Sequence, residues 1–246
     1  MITVVIPTLN EADEIAEAVA TVRDGAGQVI VVDGGSSDRT TAVAQAAGAR
    51  VRVSPGANRA KALNTGAALA RGDIVYFVHA DCRPPPGFAE DIRDAVEAGA
   101  GAGCFRMRFD SDHWLLRLSG WLTRVDVSLF RFGDQSLFVR RDVLRAAEGF
   151  DEQLSVMEDQ EMVRRLRRCT RFVILPRPVT ISARQYHRGG VYRMQLLVYP
   201  LVVVLYYLGM PPHRLARTYR RLLGGRGGYG DRPRGRLSRV HDEERR

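Results

Sequence analysis

Apolar residues along this chain come in short blocks separated by polar stops. Ile2-Thr3-Val4-Val5-Ile6 is a β-branched run of strand length, stopped by Pro7-Thr8-Leu9-Asn10-Glu11. A run that does not alternate predicts a strand buried on both faces, as in a parallel sheet. Ile15, Val19 and Val22 follow at helical spacing. Asn10 is the expected N-cap, and Glu11, Asp13 and Glu14 load the first turn with acid, as the helix dipole favours. Gln28 to Val32 returns to strand character and completes a βαβ unit. A helix over 39–47 is capped by Ser37 or Asp38 and ended by Gly48. Val51 and Val53 mark a short strand, 59–71 an Ala-rich helix closed by Gly72, and 74–78 a further strand. The second half predicts an amphipathic helix over 86–98 and a half-buried strand over 104–109. A helical pattern covers 113–130, a strand 135–139 and a short helix 141–147. A helix then opens at Glu158-Asp159, and a strand covers 179–183.

Two of these strands end in acids. Asp33 closes Val29-Ile30-Val31-Val32 and leads into Gly34-Gly35-Ser36-Ser37-Asp38; Asp81 follows Ile74 to Val78 through His79-Ala80. An acid at the carboxyl end of a parallel strand sits on the sheet edge where open α/β folds bind ligands. One acid can hold the polar edge of a nucleotide, and the other a divalent cation against its phosphates. The alternatives are an Asx-turn acid at Asp33 and a turn cap at Asp81 before Pro84-Pro85-Pro86.

Pro7-Thr8-Leu9-Asn10-Glu11, Val32 to Asp38, Ala62-Leu63-Asn64-Thr65-Gly66 and His79-Ala80-Asp81 occur in that order. Together they resemble the ordered motifs of family 2 glycosyltransferases, over roughly residues 1–185. The resemblance implies a GT-A fold: an α/β, mostly parallel sheet with flanking helices and a Rossmann-like nucleotide-binding half. The 78–81 strand end, Gly133-Asp134-Gln135 and Ser182-Ala183-Arg184 are similar to a small bacterial subgroup labelled arsenosugar-biosynthesis-type glycosyltransferases.

The implied reaction moves a sugar from a nucleotide-diphosphate donor (UDP-, GDP- or dTDP-linked) to an acceptor hydroxyl, with inversion. Asp33 is then the base-binding acid, with Pro7, Thr8, Glu11 and Ala80 around the nucleotide. Arg59 meets ribose or phosphate, and Arg184 closes over the diphosphate. Asp81 is the ligand of Mg²⁺ or Mn²⁺, with His79 where the family usually has a first aspartate. Met157-Glu158-Asp159 resembles the family's Glu-Asp signal, so Asp159 is the expected general base and Glu158 its partner. Asp134 is the competing acid, and Gln135, Trp121 and His187 complete the expected acceptor side. Gln185 and Arg188 match a signature of processive polymerases, but Gly189 replaces its tryptophan, which favours a single transfer.

Composition adds three constraints. The chain of 246 residues is long enough for one sizeable α/β core. The net charge of +9 suits a phosphate-bearing substrate or an anionic surface, and no nucleic-acid-binding pattern accompanies it. Cys82, Cys104 and Cys169 show no metal-ligand spacing and read as reduced thiols, and strand residues from Ile2 leave no basic leader; both point to a cytoplasmic protein. Residues 1–190 are expected to form the catalytic domain, 191–223 an apolar and basic helical segment, and 224–246 an Arg/Gly-rich disordered tail. Within the second part, 194–208 is strongly apolar, interrupted by Pro200 and flanked by arginines. It is short for a span. A peripheral membrane contact, a homodimer contact and a helix on its own core all remain open, and with them a lipid-linked or a small-molecule acceptor. Two other classes stay open: a nucleotidyltransferase, and a non-catalytic nucleotide-sugar-binding or membrane-scaffold protein.

Overall fold

The computed structural model describes residues 1–125 and 136–224. Among them, eight strands form one sheet: β1 (Ile2–Thr8), β2 (Gln28–Asp33), β3 (Arg50–Val53), β4 (Ile74–Phe77), β5 (Cys82–Arg83), β6 (Ala102–Phe109), β7 (Leu137–Arg140) and β8 (Phe172–Ile181). Their order is β3-β2-β1-β4-β7-β6-β8-β5. β1 to β4 are mutually parallel, β7 is antiparallel to β4 and β6, β8 is parallel to β6, and β5 is antiparallel to β8. All strands but β7 and β5 therefore run the same way, which is the mostly parallel α/β sheet expected.

The helices are α1 (Ile15–Arg23), α2 (Thr40–Ala46), α3 (Arg59–Ala68), α4 (Phe88–Glu97), α5 (Trp114–Leu122), α6 (Arg141–Ala146), α7 (Glu158–Cys169), α8 (Arg184–Gly189), α9 (Val191–Arg193), α10 (Tyr199–Tyr207) and α11 (Pro212–Leu222). They cover both faces of the sheet. Val4 and Ile6 of β1 pack with Ile15, Val19 and Phe88 on one face, and Val5 packs with Leu63, Leu144 and Met162 on the other. That two-sided burial is why β1 reads as a continuous apolar run.

Gly66 shows how tight one face is. A Cβ there would stand 2.2 Å from a Val5 methyl and 3.2 Å from a Val32 methyl. The glycine lets α3 lie directly on β1 and β2, whose ends carry Thr8 and Asp33. Gly66→Ala is expected to cost about 1–3 kcal/mol by overpacking. An unchanged thermal melting temperature would contradict this reading.

Two local expectations are corrected. Asn10 does not cap α1: it has a positive φ of 57°, and its Oδ1 accepts hydrogen bonds from the Ser37 amide at 2.9 Å and the Ser37 hydroxyl at 3.2 Å. It ties the loop after β1 to the loop after β2. The strand expected over 179–183 is the end of a ten-residue strand, β8, masked by Pro176 and Pro178. The sheet absorbs them by a register shift, in which the partners of Phe105 and Arg106 jump from Leu175 to Pro178. Pro200 does not simply kink a helix. A π-helical turn, Met194–Val198, precedes it and widens the helix before the proline ring.

The segment from α9 to α10 packs on the core along one stripe. Val191, Met194, Val198 and Val202 are buried, and the Tyr199 ring lies 5.7 Å from that of Tyr186, tilted by 40°. Its opposite side is open to solvent. Among the described residues no helix is long and apolar enough to cross a membrane. The three cysteines are free, with Cys82 and Cys104 buried and Cys169 exposed.

Candidate active site

The carboxyl ends of β1, β2 and β4 meet the start of α3, the start of α7 and the start of α8. Thr8 and Asp33 are paired across β1 and β2 and are fully buried. Thr8 donates to Asp33 Oδ2 at 3.4 Å, and the amides of Gly35 and Ser36 donate to Asp33 Oδ1 at 2.9 and 2.8 Å. The Ser36 hydroxyl is also hydrogen-bonded to Asp33 Oδ2. Asp33 therefore builds the Gly34-Gly35-Ser36 turn with both oxygens; the Asx-turn reading is met, and the acid still stands at the strand end.

Asp81 lies in the loop between β4 and β5, and its carboxylate faces the Cys82 thiol at 3.6 Å. Burial pushes its pKa up, against the pull of the Arg59 and Arg184 charges. Glu11 is raised as well, first by burial and then by the negative charge of Asp81. Two carboxyls that disfavour each other's charge in a desolvated pocket form a place where added positive charge is stabilising. Among the described residues no three His, Cys, Asp or Glu side chains converge as a metal-sized cage. A cation at Asp81 would take its remaining ligands from phosphate oxygens and water, as Mg²⁺ commonly does.

Acids before and within α1 are held by two arginines from distant parts of the chain. Arg184 donates to Glu11 Oε2 at 2.9 Å and lies 3.4 Å from Glu14 Oε1. Arg83 donates to Glu14 Oε2 at 2.7 Å, to Glu17 Oε2 at 3.0 Å and to the Ala80 carbonyl at 2.7 Å. Arg83 thus fixes the loop carrying Asp81 against α1. The sequence marks Glu11, Arg184 and, as an acid expected near the start of α1, Glu14; nothing local marks Arg83 or says that it holds Glu14.

Across the pocket, Met157 holds a positive φ of 70° as N-cap, and α7 opens with Glu158 and Asp159, both buried. The helix dipole favours charge on acids at this position. Arg59 donates to Glu158 Oε1 at 3.2 Å and lies 4.0 Å from Asp159 Oδ2. His79 Nε2 lies 3.9 Å from the same Asp159 oxygen. Burial and the Arg59 charge hold the His79 pKa down at about 3, so its ring is neutral and contributes no charge to the Asp81 loop. Arg59, expected at ribose or phosphate, also pairs with Glu158 and acts on Asp81 through its charge.

The loop before α7 is anchored by side chains of α3. Asn64 accepts from the Phe150 amide at 2.8 Å and donates to the Phe150 carbonyl at 2.9 Å. Asn58 caps α3 at Lys61 and donates to the Glu152 carbonyl at 2.7 Å. The Ala62-Leu63-Asn64-Thr65-Gly66 motif contains this anchor, but its role needs the fold to be seen. Asn64→Ala is expected to cost about 1–3 kcal/mol by stranding two backbone groups. Melting and limited proteolysis within 150–157 would read the loss; an unchanged cleavage pattern would show that Asn64 is not the anchor.

Pro7 and Ala80 are buried beside the pocket mouth. His187 is exposed one turn beyond Arg184, with Nε2 3.2 Å from the Ser111 hydroxyl. Trp121 is exposed on α5, and no contact the structure gives it joins it to the carboxylates. Asp134 and Gln135 lie outside the described residues.

The profile of glycosyl transferase family 2 matches residues 3–144, more than half of the chain. The chain belongs to glycosyl transferase family 2. This agrees with the motif order. Among curated relatives, it is 43% identical over 61 residues to the glycosyltransferase AglJ of Haloferax volcanii, covering 24% of this chain and 20% of that protein. It is 39% identical over 115 residues to the glucosyl-3-phosphoglycerate synthase of Mycolicibacterium paratuberculosis, covering 41% of this chain and 34% of that one. The chain thus spans about a third or less of the length of these relatives. Among solved structures, it resembles the mannosyltransferase PcManGT from Pyrobaculum calidifontis, solved in complex with GDP-Man and Mn²⁺. The TM-score is 0.64 at 19% identity, over 91% of this chain and 68% of that one. The likeness supports the expected GT-A fold.

Proposed function

We propose that this family 2 member transfers a single sugar from a nucleotide-diphosphate donor to an acceptor hydroxyl, inverting the anomeric carbon. The observation that carries this is the meeting of Asp159 with the Asp81 loop, through Arg59 and His79, at one sheet edge. A leaving group and a proton acceptor are needed within one substrate's length of each other, and these two acidic ends supply both sides.

The base and ribose of the donor lie in the pocket of Pro7, Thr8, Glu11 and Ala80, over the turn that Asp33 builds. Arg184 and Arg59 place positive charge toward the diphosphate. Mg²⁺ or Mn²⁺ bound at Asp81 would neutralise charge developing on the departing phosphate. Asp159 takes the proton of the acceptor hydroxyl while its oxygen attacks the anomeric carbon. The bond from that carbon to the diphosphate oxygen breaks, and the nucleoside diphosphate leaves with the electron pair. One displacement on the face opposite the leaving group inverts the centre. Glu158 hydrogen-bonds Arg59 and so positions it beside Asp159. His187, Trp121, Asp134 and Gln135 remain assigned to the acceptor side, and Gly189 in place of tryptophan supports a single transfer.

Incubation with UDP-, GDP- and dTDP-sugars and Mn²⁺ tests the reading. Release of the nucleoside diphosphate is the expected result, and ¹H NMR of the product gives the anomeric configuration. Release of pyrophosphate, or nucleotide binding without turnover on any acceptor, would replace it with a nucleotidyl-transfer or non-catalytic reading.

A further inference from the structure

Among the described residues, twelve large apolar side chains are exposed, and ten of them lie in 114–125 or 192–208. The two stretches adjoin. Trp114 Nε1 donates to the Tyr192 hydroxyl at 3.1 Å, and Ser119 donates to Gln195 at 2.9 Å. The longer stretch presents Leu196, Val204 and Leu208 outward, with Leu196 at 62% and Leu208 at 77% exposure. α10 carries no charged residue at all. Scattered exposed leucines are ordinary, but an apolar helix side joined to an aromatic neighbour is not.

The chain around this surface is rich in arginine, with Glu161 and Asp151 acting on Tyr206 at the end of α10. Residues 162–224 contain thirteen arginines and no aspartate or glutamate. Arg214, Arg217 and Arg221 face solvent along α11, while Leu215 turns inward. At the far end of α10, Arg164 of α7 donates to the Tyr206 hydroxyl at 3.5 Å. Beside it opens a shallow cavity of about 440 Å³ lined by Arg164, Arg167, Arg168 and Phe172. The Arg167 guanidinium stands 5.4 Å from the centre of the Phe172 ring. A cationic cavity at the border of an apolar helix side has the shape and charge of a phosphate headgroup site beside an acyl-facing surface.

We propose that α10, flanked by α11 and by the Arg164–Arg167–Arg168 cavity, docks on an anionic phospholipid surface, with lipid phosphates in the cavity. A second copy of the chain is the weaker occupant on electrostatic grounds. A two-fold interface sets the same patch against itself, and here that would press the Arg164, Arg167 and Arg168 cluster and the α11 arginines against their own copies. An anionic bilayer supplies the missing charge and accepts the apolar side at its headgroup boundary.

Flotation of the full chain with vesicles of phosphatidylcholine containing one-third phosphatidylglycerol is the test. Binding is expected with these vesicles and not with pure phosphatidylcholine, and it weakens as salt rises. Arg167→Glu with Arg168→Glu is expected to weaken it by roughly 30-fold or more, since each arginine near the surface contributes about fivefold. Leu196→Asp with Leu208→Asp is expected to abolish it. Leu196, Leu208 and Arg168 are exposed, whereas Arg167 is half-buried against Phe172, so the leucine variant should keep the wild-type melting curve and Arg168→Glu alone serves as the folding control for the charge variant. Failure of the wild-type chain to float with anionic vesicles overturns the proposal. So does equal flotation with neutral vesicles, or a stable dimer that the leucine variant converts to monomers.

Discussion

Asp159→Asn is expected to lower turnover by about 10²–10⁴-fold, the usual contribution of a positioned general base. The change keeps the side chain's size and its place at the start of α7, beside Arg59 and His79. It removes only the capacity to take a proton from the acceptor. Affinity for the donor should stay close to wild type, because the carboxylate acts on the other substrate. Hydrolysis of the donor by water, where measurable, should fall with transfer, since water must also lose a proton. Single-turnover kinetics with donor in excess separate chemistry from binding. If Asp159→Asn retains most of its turnover while Asp134→Asn loses it, the base is Asp134 and the role given to the helix start is wrong.

Asp81→Ala is expected to abolish metal-dependent binding of nucleoside diphosphate. The sign of its effect on stability is opposite to that of most substitutions. Burial pushes the Asp81 pKa up, so its charged form is disfavoured in the folded protein, and nearby Glu11 adds repulsion. Removing the charge relieves both costs, so the metal-free variant should melt at the same temperature as wild type or above it. With Mn²⁺ and UDP, wild type should gain melting temperature and the variant should not. Calorimetry gives the same comparison as an affinity. A variant that binds UDP with Mn²⁺ as tightly as wild type would show that the cation is held elsewhere, and a variant that unfolds would show that Asp81 has a structural part the contacts do not reveal.

Both predictions rest on residues found from the sequence, and the reason lies in the kind of signal each carries. Asp33 and Asp81 end apolar runs, and a strand followed by an acid and small residues is a local pattern. Asp159 opens an amphipathic helix with acids in its first turn, also a local pattern. Arg83 carries no such mark, and the local marks on Glu14, an acid near the start of α1, and Asn64, part of an ordered motif, do not say what they hold. Their roles come from partners 69 and 86 residues away, and only the folded chain brings these together. The same distinction explains Arg59. Its place at the start of α3 was legible, but its pairing with Glu158, across 99 residues, was not.

By itself the sequence determined the βαβ half, the strand ends that carry acids, the helix that presents Asp159 and the apolar character of 194–208. Each depends on hydrophobic periodicity and turn chemistry within a dozen residues, which neighbours in the chain encode directly. Tertiary structure alone decided where β7 inserts between β4 and β6, and how β8 runs through Pro176 and Pro178 by a register shift. It also decided which side of α10 is covered by the core and which is left open. Strand order, register and the choice of buried side are settled by packing between segments far apart in sequence, where several arrangements satisfy the same local pattern and only the one that fills both faces of the sheet is stable.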